Sequence, residues 1–129
     1  MQRLIAIGML ALLVSCPGCG DTRENLASEN LSVMKELNAV LDGIKDEASA
    51  SSAKSKLKSL MERMTDITQR ESKLKEPTEA EFNTIQSKYG KEMEDVNRKF
   101  QANILRIQFD PKLNSVFMDL NETMMKIKR

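Results

Sequence analysis

The chain has 129 residues, with 20 Lys+Arg against 19 Asp+Glu and no His or Trp, a length that allows one domain. Without His, the common zinc, haem-iron and Ser-His or Cys-His sites have no imidazole to build on, and a net charge of +1 offers a polyanion no attraction. Five Gly, three Pro and one Tyr argue against a β-sandwich or barrel, which needs many turns and strand-favouring residues.

The amino terminus reads Met1-Gln2-Arg3, followed by an apolar run from Leu4 to Val14. One positive charge before such a run fits the start of a secretory signal, and the run is shorter than the roughly 20 residues a membrane span needs. Leu13-Val14-Ser15-Cys16 resembles the lipobox of bacterial lipoproteins. The resemblance implies that the Cys16 thiol receives a diacylglycerol, that a dedicated peptidase cuts before it, and that the new amine is acylated. Cys19 is the alternative, because Gly18 is suitably small, although Pro17 and Cys16 fit the two preceding box positions poorly. Cutting before Cys16 leaves Cys19 as a free thiol in an oxidising compartment; cutting before Cys19 leaves no stray thiol. The two cysteines also spell Cys-x-x-Cys, but a thioredoxin-type motif belongs at a helix start within an α/β domain, not at a signal junction. The expected organisation is a signal peptide over 1–15, a lipidated tether over 16–23 and a helical domain over 24–129. Loss of Arg3 leaves 19 basic and 19 acidic residues, so acyl chains alone must hold the membrane. Each buried methylene contributes about 0.8 kcal/mol, and two chains anchor firmly where one is marginal. The expected location is the cell envelope, on a bacterial membrane, facing the periplasm or exported.

From Thr22 onward apolar residues recur every three or four positions. Leu26, Val33, Leu37, Val40 and Ile44, widened by Met34 and Leu41, predict an amphipathic helix ending near residue 44. Residues 46–53 read as a Ser/Ala linker or as a helix start with Asp46 as N-cap; the absence of Gly and Pro favours the helix. Ala53, Leu57, Leu60, Met64 and Ile67, resumed by Leu74, then repeat every 3.5 residues, the coiled-coil period. Glu76-Pro77 interrupts that helix, and Thr78-Glu79-Ala80-Glu81 spells a capping box. The third stripe runs Phe82, Ile85, Tyr89, Met93, Val96, Phe100, Ile104, Ile107, at a period near 3.6, with Gly90 inside it. Asp110-Pro111 predicts a restart, with Asp as N-cap and Pro in the first turn. The fourth stripe is Leu113, Val116, Phe117, Leu120, Met124 and Ile127. The predicted fold is all-α: an antiparallel bundle of three long helices with coiled-coil-like seams, plus a shorter C-terminal helix.

Candidate chemistry is sparse. Met61, Met64 and the pair Met124-Met125 offer thioether sulfur of the kind that suits copper(I), but Met64 and Met124 fall on core stripes. Glu92, Glu94 and Asp95, and Asp119 with Glu122, lie among Lys91, Arg98 and Lys99, the pattern of a solvated, ion-paired helix face. The most basic stretch, Lys54, Lys56, Lys58 and Arg63 followed by Arg70, Lys73 and Lys75, has acidic residues between and no aromatic platform, so nucleic acid is not an expected partner. No catalytic residue, metal or cofactor is expected, and the chain is not read as an enzyme.

Two functional readings follow. The first is a membrane-anchored envelope lipoprotein whose helices form an interaction or structural module, binding a partner or a second copy through a helix face. The alternative is an envelope carrier with a Met- and Phe-lined interior for a hydrophobic ligand. The chain resembles small helical lipoproteins of the bacterial envelope. The murein-bound helical lipoprotein is attached through a C-terminal Lys, whereas this chain reads Lys128-Arg129, so covalent wall linkage is not expected.

Overall fold

The computed structural model describes residues 20–127. The described residues are helical and contain no strand. The helices are α1 (Arg23–Asp42), α2 (Glu47–Ser72), α3 (Glu79–Phe109) and α4 (Asn114–Ile127).

Short polar side chains set each of the first three helix starts by taking an amide that the first turn leaves unpaired. Thr22 accepts from the Asn25 N–H at 3.1 Å. Asp46 accepts from the Ser49 N–H at 2.7 Å, and the Ser49 hydroxyl oxygen accepts from the Asp46 N–H at 3.0 Å. Residues 46–53 are thus a helix start and not a linker. Thr78 accepts from the Glu81 N–H at 3.2 Å while the Glu81 carboxylate takes the Thr78 N–H at 2.8 Å, forming the predicted capping box. Thr78→Ala removes one side of this reciprocal pair and is expected to lower stability by about 1 kcal/mol. Urea unfolding of the full chain, with no change in slope, checks it.

Two boundaries differ from expectation. Helix α2 stops at Ser72, with Lys73 as its C-cap, several residues before Pro77. Asp110 caps the end of α3 instead of opening α4. Its carboxylate accepts from the Lys112 N–H at 2.9 Å and its carbonyl from the Leu113 N–H at 2.9 Å, so 110–113 is a closed turn with Leu113 buried as its plug. A Cβ at Gly90 would meet only the flexible Gln86 side chain. The glycine therefore marks no close approach between helices.

Helix α1 is central. It packs against α2 and α3, which do not pack on each other, while α4 lies against α2 and α3. Ion pairs give the directions. Between α1 and α2, Arg63 meets Glu36 and Arg70 meets Glu29, so the two run antiparallel. Between α1 and α3, Lys88 meets Glu24, Lys35 meets Glu92, and Lys99 meets Asp42, so these two run parallel. One apolar cluster joins Leu26, Val33, Leu37 and Leu41 of α1 to Leu57, Leu60 and Ile67 of α2, and to Ile107 and Leu113. Ala53, Met64 and Leu74, predicted on the α2 seam, pack against this cluster while partly exposed. The side chains of the predicted fourth stripe at Val116, Phe117, Leu120, Met124 and Ile127 lie outside those described.

Two buried polar residues cross from α1 to α3. Asn38, 3% exposed, donates from Nδ2 to the Val96 carbonyl at 2.9 Å, and Asn103 donates to the Asp42 carboxylate at 2.9 Å. Arg106 adds two bonds of 2.7 Å to the carbonyls of Leu41 and Ile44, tying α3 to the last turn of α1 and the residues just after it. A polar group buried in an apolar seam is unfavourable unless paired, so these residues disfavour sliding of α3 along α1.

Candidate functional site

The α3 stripe starts where its cover runs out. Ile107 is buried, Ile85, Tyr89, Met93, Val96, Phe100 and Ile104 are half-buried, and Phe82, in the first turn, is 59% exposed. Helix α4 rises about 21 Å over its length, against about 39 Å for α2 and about 46 Å for α3. It therefore covers only part of the groove between the two longer helices. The uncovered end is an open groove of about 190 Å³ floored by Leu26 and walled by Ile67, Pro77, Phe82 and Ile85, with Arg23 and Glu71 at its edge.

The chain enters the fold beside this groove, and two arginines fix the entry point. Arg70 on α2 reaches both oxygens of Asp21, at 3.0 and 2.8 Å, and also holds Glu29 at 2.9 Å and Asp66 at 3.1 Å. Arg23 lies 3.6 Å from Glu71 and donates to the carbonyl of Lys75. The hydrogen bonds from Arg70 hold the Asp21 carboxyl below the usual carboxylate range, and those from Arg63 do the same for Glu36. A carboxyl depressed in the folded state contributes stability above its unfolded value, near pH 4, and loses it as pH falls through the lower folded value. Stability should therefore fall below about pH 4. Arg70→Gln should flatten the Asp21 part of that fall, as read by urea melts across the acid range. An unchanged profile would show that the Arg70 contacts do not couple to folding.

The other candidate groups are placed as follows. Cys16, Cys19 and residues 1–15 lie outside the described residues. Met61 is buried, Met64 is half-buried against the core and Met125 is exposed; the Met124 side chain lies outside those described. Glu92 pairs with Lys35, and Glu94 and Asp95 pair with Arg98. Asp119 holds Lys54 at 2.6 Å, and the Asp119 bond raises the Lys54 pKa. The basic stretch is likewise interleaved with carboxylates: Lys56 and Arg63 share Glu36, and Lys58 faces Glu62. Among the described residues no group of three or more His, Cys, Asp or Glu could hold a metal ion. No helix among them is long and apolar enough to cross a membrane.

No protein-family model matches the chain. Searches of curated proteins and of solved structures find no match either. The functional reading therefore rests on the chain's own residues, and the groove at the entry end is the feature they set apart. The sequence signal for it was present in Phe82, Ile85 and Met93 of the third stripe, but periodicity cannot say that Phe82 stands exposed while the positions after it are half-buried.

Proposed function

We propose that the chain is a lipid-anchored lipoprotein of the cell envelope. In this reading its helices form a bundle in which α1 runs antiparallel to α2 and parallel to α3, closed by the short C-terminal helix, and the bundle works as an interaction module. The observation that carries the second half is the uncovered start of α3: Phe82 stands 59% exposed beside an open apolar groove. An open apolar groove with an aromatic side chain standing at its edge is the kind of surface a helix of a partner can use. The first half rests on Leu13-Val14-Ser15-Cys16 after the apolar run. From Cys16 the chain to Asp21 reaches at most about 17 Å. The clasp of Arg70 on Asp21 would then hold the groove end of the domain near the bilayer. Membrane attachment through acyl chains, helix-face association without catalysis, and no role for nucleic acid belong to this reading.

The carrier alternative asks for an enclosed interior. The groove is open, and about 190 Å³ falls short of the roughly 300 Å³ at which ligand pockets begin, which favours the helix-face reading. Intact mass spectrometry of the N-terminal peptide tests the anchor: acyl chains on a peptide beginning at Cys16 are expected. An unmodified peptide rejects the anchor, and a modified peptide beginning at Cys19 moves it. Photocrosslinking in membranes from position 82 tests the module, and recovery of no neighbour rejects it.

A further inference from the structure

We propose that the uncovered half of the groove between α2 and α3 seats an amphipathic helix of another protein, one carrying Lys or Arg beside its apolar stripe. This deepens the helix-face reading and rests on it. The groove already holds a helix at its other end, since α4 lies against both α2 and α3. Subtracting the length of α4 from that of α2 leaves about 18 Å, or roughly three helical turns. The open part is thus a continuation of an occupied helix seat, with Leu26, Ile67, Phe82 and Ile85 supplying apolar walls.

Charge decides what kind of helix fits. At the filled end the α2 wall is basic and the seated helix acidic: Lys54 pairs with Asp119 of α4 at 2.6 Å, and Glu122 adds to the field on Lys54. At the open end the sign reverses. Residues 20–31 and 64–89, which frame it, hold eight carboxylates against five cations. Arg70 serves Asp21, Glu29 and Asp66, with Lys73 adding to the field on Asp21. Arg23 in the groove lining faces Glu71, and Glu76 and Glu79 stand exposed beside Pro77 and Phe82, with Lys73 and Lys75 exposed just before them. An acidic rim around an apolar floor selects a basic amphipathic helix over an acidic one.

The chain has no Trp, so Phe82→Trp places a single reporter in the groove, and Phe109→Trp places one on an exposed site at the other end of α3. The full chain is reconstituted in nanodiscs of zwitterionic lipid. It is titrated with a synthetic helix of three to four turns carrying a Leu stripe flanked by Lys, and with the same Leu stripe flanked by Glu. The Lys peptide should shift the emission of the position-82 reporter and bind about tenfold more tightly than the Glu peptide, as expected for two or three rim ion pairs. The position-109 reporter should not respond. Glu76→Lys with Glu79→Lys should abolish or reverse the preference. If Phe82→Trp melts early, calorimetry on the unsubstituted chain with the same two peptides makes the comparison. Equal binding of both peptides, equal response at both reporters, or a groove already filled by a second copy or by lipid would overturn the proposal. Neighbours recovered by membrane crosslinking from position 82, with neither peptide binding, would sink this inference alone; no neighbours would sink the helix-face reading beneath it.

Discussion

Leu57→Asp should unfold the domain, not release a partner. The 3.5-residue seam of α2 has the spacing of a surface that pairs with another chain, but Leu57 is 2% exposed and belongs to the central cluster with Val33, Leu37 and Leu60. Truncating a buried Leu to Ala costs about 2–5 kcal/mol. That is a large share of the roughly 5–15 kcal/mol that holds a domain together. Asp adds the desolvation of a carboxylate with no partner, so the substitution should exceed what the fold can absorb. Lys58→Asp is the control at the neighbouring position: Lys58 is exposed and only 3.9 Å from Glu62, and a surface pair contributes less than about 1 kcal/mol. Circular dichroism melts of the two full-length variants give the comparison. Native-like melting of Leu57→Asp would place that residue outside the core and return the α2 seam to the list of docking surfaces.

Cys16→Ala should abolish acylation while Cys19→Ala leaves it intact. The prediction follows from Leu13-Val14-Ser15-Cys16, and its effect is large because the anchor stands alone. With Arg3 removed the chain is neutral, so no polybasic segment supports the attachment. Two acyl chains at about 0.8 kcal/mol per methylene anchor firmly, and losing them leaves no comparable attachment. Labelling with a fatty-acid analogue, followed by membrane fractionation of the wild type and both variants, reads the result. The reverse pattern would assign Cys19; a wild type without label would dismiss the anchor altogether.

Much of the helical layout is legible in the sequence because it depends on neighbours a few positions apart. Asp46 and the Thr78–Glu81 pair announce helix starts through bonds spanning three residues, and of the predicted α1 stripe Leu26, Val33, Leu37 and Ile44 are buried with Met34 and Leu41, while Val40 is half-buried. Asp110-Pro111 misled for the same local reason. An Asp before a Pro suits a helix start, yet here the same carboxylate serves the Lys112 amide in a turn that seats Leu113. Asn38 and Asn103 gave no signal, since each is polar and buried only because Val96 and Asp42 stand opposite. The candidate anchor at Cys16 and Cys19 is wholly a matter of sequence, as both lie outside the described residues.

The sequence by itself determined that the chain is helical, where α2 and α3 begin, and most of the apolar residues of α1 that face inward. Periodicity and capping are properties of a single segment and need no partner to be read. Only the tertiary structure decided that the regular α2 seam is spent inside the molecule while the start of the α3 stripe is left open. Those two stripes look alike along the chain, and what separates them is reach: α1 covers Leu57, Leu60 and Ile67, whereas α4, shorter than the groove it occupies, leaves Phe82 without a cover.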